Sequence, residues 1–64
     1  MMIKLSTMDR ELWLNTTAIS SVFQPSGQEQ DMGIGAKIYI TGEDYPWLVD
    51  ESVREVVNLI EGVS

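Results

Sequence analysis

Neither cysteine nor histidine occurs in this chain of 64 residues, and their absence constrains the fold more than any motif present. A chain this short buries only about 60% of the surface its unfolded form exposes, and such a core seldom supplies more than about 3–5 kcal/mol. Small scaffolds close that gap with disulfides, a structural metal or self-association, and the first two need residues this chain lacks. One marginal domain over residues 1–64, stabilised by a second copy of itself, is the expectation. Zero cysteine also fits a reducing compartment.

No apolar run approaches the roughly 18–20 residues of a membrane span, and Met1–Leu5 is too short, and too polar beyond Leu5, for a signal peptide. A soluble, cytoplasmic protein is expected, with no membrane partner. Ten acidic against four basic residues give a net charge of −6. That charge repels a nucleic-acid backbone, so nucleic acid is not an expected partner.

The fold class read from the pattern is α+β: a small antiparallel β-meander of four to five strands with one C-terminal amphipathic helix. Ile3 and Leu5 alternate with Lys4 and Ser6; after a tight turn at Met8-Asp9-Arg10, Leu12 and Leu14 alternate with Trp13. The two runs make a hairpin. Asn15-Thr16-Thr17 is a break, because these side chains compete for nearby backbone groups. A third strand runs from Ile19 to Gln24, where Ser20 and Ser21 weaken the pattern and point to an edge or a bulge. Residues 25–35 are rich in Pro, Ser, Gly, Gln, Glu and Asp and read as a long hairpin loop. The clearest strand is Ala36–Thr41, with Ile38 and Ile40 on one face and Lys37 and Tyr39 on the other. Tyr45–Val49 forms a last strand whose Pro46, lacking an amide donor, pairs on one side only. Helix is expected over 50–61, with Asp50 as N-cap, Val53, Val56, Val57 and Ile60 as one apolar stripe, and Gly62 as the stop.

The order Met2-Ile3-Lys4-Leu5, Leu14-Asn15, Ile19, Val22, Ile38, Thr41-Gly42, Tyr45 and Val49-Asp50-Glu51-Ser52-Val53-Arg54-Glu55-Val56 resembles the FlbD-like family, small proteins associated with flagellar and swarming functions. The resemblance spans most of the chain and implies the meander-plus-helix fold. Two segments depart from that family's pattern: residues 25–35 are longer, and Tyr45-Pro46-Trp47 stands where the family has a basic strand. Small phage-encoded proteins share the same outline.

No catalytic site is expected, and no cofactor or metal. Nucleophilic triads need a base, and the usual His and Cys partners are missing. A Ser–Lys pair drawn from Ser6 or Ser52 with Lys4 or Lys37 lacks any nucleophile elbow around it. The acidic pairs Glu43-Asp44 and Asp50-Glu51 sit where a turn and a helix start call for such residues. Gly33-Ile34-Gly35-Ala36-Lys37 permits close backbone approach to a phosphate, with a cation following, yet it precedes a strand instead of opening a helix.

The binding candidates are Trp13, Tyr39 and Trp47 for stacking or anchoring, Arg10 and Lys37 for charge, and Gly33 and Gly35 for backbone approach. Trp13 and Tyr39 lie opposite their strands' aliphatic faces, so a subunit interface, a stacked ligand or plain exposure accounts for them. Three functions follow. The first is a non-enzymatic homo-oligomeric binding protein, an adaptor or regulator acting on a protein partner. The second is a small-molecule binder, a phage-type sponge that sequesters a nucleotide signal between subunits by pooling Lys4, Arg10, Lys37 and Arg54. The third is an acidic mimic of nucleic acid.

Overall fold

A computed structural model describes residues 1–62, so the last two residues of the expected domain lie outside the described residues. β1 (Met2–Thr7) and β2 (Arg10–Asn15) form the antiparallel hairpin, with Ile3 opposite Leu14 and Leu5 opposite Leu12. Two residues make its turn, Met8 (φ 50°) and Asp9 (φ 66°). Both sit in the left-handed region that a two-residue hairpin turn of this hand requires. The break after β2 is a 3-10 turn over Thr16–Ala18, and the Asn15 side chain accepts from the Thr17 N–H at 3.1 Å.

β3 (Ile19–Phe23), β4 (Ala36–Ile40) and β5 (Trp47–Val49) form a second antiparallel sheet in the order β3-β4-β5. β3 carries the expected irregularity between Ile19 and Ser21, and it lies at an edge. The strand expected from Tyr45 begins only at Trp47, directly after Pro46, and β5 ends the ladder.

The single meander is corrected to two sheets, because β2 and β3 share no ladder. The end of β1 lies against residues 48–51 instead. Asp50 N–H donates to the Ser6 carbonyl at 2.8 Å, the Glu51 carboxylate accepts the Ser6 N–H at 2.9 Å, and the Thr7 hydroxyl donates to the Leu48 carbonyl at 2.6 Å. These bonds give the outward groups of β1 partners that a simple meander would not supply.

Residues 25–35 still connect β3 to β4, but they contain a helix that composition hid. α1 (Gly27–Asp31) opens on a capping box, in which Ser26 Oγ accepts from Glu29 N–H and Glu29 Oε1 accepts from Ser26 N–H. It closes at Gly33 (φ 90°), where Ile34 N–H reaches the Glu29 carbonyl and Gly33 N–H that of Gln30. Local hydrogen bonding orders α1 without a buried side chain, and Pro25 just before it is buried.

α2 spans Val53–Ile60, a shorter helix than expected. Its N-cap is Ser52, in a second capping box with Glu55, and not Asp50, whose amide is held by β1. Val56 is fully buried, and Val53 and Ile60 pack beside it, but Val57 is 37% exposed and leaves the stripe. Gly62 (φ 72°) follows the helix, as expected of a stop. The core is Ile3, Leu5, Ala36, Ile38, Ile40 and Val49 from the strands, closed by Val56.

Candidate functional site

Strand alternation that turns the aliphatic residues inward turns a different set outward. On the hairpin, Trp13 stands opposite Lys4; on the second sheet, Phe23 and Leu48 flank Lys37 on neighbouring strands. Trp13 is 54% exposed and Phe23 52%, and Leu48 is also exposed. The Tyr39 ring meets Phe23 edge to face, with centroids 5.4 Å apart and planes at 84°. The outward surface of each sheet therefore holds an exposed aromatic ring, Trp13 on the hairpin and Phe23 on the second sheet.

The cations of these surfaces are neutralised locally. Lys4 Nζ lies 3.3 Å from Glu11, and Lys37 Nζ lies 3.3 Å from Glu29 on α1. The Ser26 backbone N–H holds the Glu29 carboxyl below its ordinary value; slight burial opposes this, and the Ser26 hydroxyl and Lys37 reinforce it.

A separate open groove of about 470 Å³ is lined by Thr7, Met8, Arg10 and Trp47. The hairpin turn supplies the first three, and the start of β5 supplies the indole. Thr7 ties the two together through its bond to Leu48. Among the described residues Arg10 makes no ion pair. A guanidinium free to bind, next to an indole, suits a planar group carrying negative charge.

The structure thus brings Arg10 and Trp47 together and leaves the other candidates elsewhere. Trp13 and Tyr39 belong to the outward surfaces of their sheets, and Lys37 is occupied by Glu29. Gly33 terminates α1, and Gly35 lies against the backbone of residues 50–51. Both glycines have structural duties, which accounts for their spacing without a phosphate. Thr7 and Met8 were missed as lining residues; the two-residue turn, which pairs Thr7 with Arg10, was the available signal.

The Ser52 hydroxyl is engaged by Glu55, and both lysines of the formal Ser–Lys pairs are in ion pairs. Among the described residues no three His, Cys, Asp or Glu side chains cluster as a metal would need, and no helix is long and apolar enough to cross a membrane. No family model, curated protein or solved structure matches the chain.

Proposed function

We propose that this protein is a non-enzymatic, homo-oligomeric binding protein, an adaptor or regulator that acts through protein contact in the cytoplasm. The observation that carries this reading is the exposure of Trp13 on the outward side of the hairpin and of Phe23 and Leu48 on that of the second sheet. Burying such surface is favourable by about 25 cal/mol per Å² of apolar area, which a small core needs. Although the chain carries a net charge of −6, the lysines of these surfaces are each matched by a carboxylate, so a second copy is not repelled there. Mass in solution and melting temperature across a dilution series test the reading. The expected result is a dimer or larger assembly whose melting temperature rises with concentration. A monomer with a concentration-independent melt overturns it.

The Arg10–Trp47 groove supports a second reading, capture of a small planar anion such as a nucleotide. A thermal-shift screen with nucleotides tests it: a melting temperature that rises with one nucleotide, and fails to rise in Arg10→Gln, supports capture. The nucleic-acid mimic gains less, because Asp9, the Glu43-Asp44 pair and the Asp50-Glu51 pair belong to three different connections of the fold.

A further inference from the structure

β2 is an edge whose charges, Arg10 and Glu11, stop at its turn end. Edge strands are normally blunted by a bulge, a proline or charged side chains. β3 has a bulge near Ser20 and is followed by Pro25, whereas β2 reads Arg10-Glu11-Leu12-Trp13-Leu14-Asn15 and pairs regularly with β1 throughout.

Hydrogen-bond phase fixes which groups this edge offers. Ser6 sends its N–H and carbonyl away from β2, to Glu51 and Asp50. In an antiparallel ladder directly opposite residues share the same phase, so Glu11 opposite Ser6 also points its backbone groups outward, as do Trp13 and Asn15 at the same alternation. Among the described residues Glu11 and Trp13 have no backbone partner on that side, while the Asn15 carbonyl accepts the first bond of the 3-10 turn and keeps one lone pair free.

We infer that β2 pairs antiparallel with β2 of a second copy about a twofold axis at Trp13. This inference rests on the self-association proposed above and assigns its geometry at Trp13; Phe23 and Leu48, on the other sheet, lie outside this contact. In that register Trp13 faces its own counterpart on the outer face. Glu11 faces Asn15 of the partner subunit, and Leu12 faces Leu14 of the partner subunit on the inner face. Leu12 and Leu14 are only half-buried at the rim of the core, and the pairing covers them. Asn15 Oδ1 is committed to Thr17, which leaves its amide N–H groups for the opposing carboxylate. A twofold axis at Glu11 would instead oppose two carboxylates, and a one-residue slip would put leucine against the outer face.

The test uses the absence of any native thiol. Directly opposite residues in a ladder have Cα atoms about 5.5 Å apart, within disulfide range. Trp13→Cys is treated with oxidised glutathione, which takes up the electrons and protons of the two thiols, with Tyr39→Cys as comparison. The expected result is a complete shift of Trp13→Cys to the covalent dimer mass and none for Tyr39→Cys. If loss of the indole dissociates the variant, Glu11→Cys mixed with Asn15→Cys should cross-link while neither does so alone. An unmodified protein that is dimeric by mass yet cross-links only at Tyr39, or at none of these positions, overturns the edge pairing and leaves self-association standing. A monomeric mass for the unmodified protein overturns both.

Discussion

Gly35 lies against the backbone before α2 so closely that a Cβ built on it would sit 2.5 Å from the Asp50 carbonyl oxygen and closer still to that of Glu51. Its amide also donates to the Val49 carbonyl at 2.8 Å, which clamps the entry to β4 onto the exit from β5. Backbone cannot swing aside as a flexible side chain can, so Gly35→Ala should destabilise the domain by about 1–3 kcal/mol. Gly27→Ala is the contrast. Nothing lies within 4 Å of its Cβ position, at the first residue of α1. That change should be neutral or stabilising by up to about 1 kcal/mol. Urea melts of the two variants check the pair; equal effects would refute the close-approach account.

Val56 and Val57 are neighbours in one helix with opposite surroundings. Val56 is fully buried beneath the sheets, while Val57 is 37% exposed. Val56→Asp places an unpaired charge in a core whose whole stability is about 3–5 kcal/mol, so the cooperative melt should vanish. Val57→Asp should cost about 1 kcal/mol. Circular dichroism melts distinguish them, and a folded Val56→Asp would show that α2 packs on another face.

Asp50 and Ser52 before α2, and Ser26 before α1, show how far the chain could be read unaided. Alternation in Ile3–Leu5, Leu12–Leu14 and Ala36–Ile40 reports a local period, so the strands and the outward placement of Trp13 and Tyr39 were legible. The start of α2 at Ser52 was marked locally by the Ser52–Glu55 capping-box spacing, whereas the bond from Asp50 N–H to Ser6, 44 positions away in sequence, was not. No local pattern encodes such a contact. α1 carries the same signature, the Ser26–Glu29 capping-box spacing, in a segment whose low hydrophobicity masks it. The Arg10–Trp47 groove joins residues from opposite ends of the chain, so chemistry nominated both residues but only the fold made them neighbours.

Glu29 links α1 to the sheet through Ser26 and Lys37, and its carboxyl is held below the ordinary glutamate value. A depressed folded-state value means that the unfolded chain takes up the proton first as acid is added. The stabilisation is therefore present above the unfolded-state value and is lost as the pH falls through the lower folded-state value. The parent should be more stable than Glu29→Gln near neutrality, and the two should converge as the pH falls below the ordinary glutamate range. A difference that stays constant with pH would assign the effect to packing and not to charge.

Met8 and Asp9 occupy backbone angles better suited to Asn and Gly, and Met8 is also 86% exposed on the wall of the Arg10–Trp47 groove. Left-handed backbone costs a residue with a Cβ about 1–2 kcal/mol, although the turn's fit to strand twist offsets part of it. Replacing the pair by Asn-Gly should therefore raise stability by about 1 kcal/mol while preserving the β1–β2 register. The same replacement removes the Met8 thioether from the groove but keeps Thr7, Arg10 and Trp47. If Met8 is retained there as an adaptable apolar wall for a ligand, the variant should melt higher and yet lose part of the thermal shift a bound nucleotide gives the parent. A higher melt with an undiminished shift would restrict Met8 to the turn and leave recognition to Arg10 and Trp47. A lower melt would contradict the left-handed geometry of the turn itself.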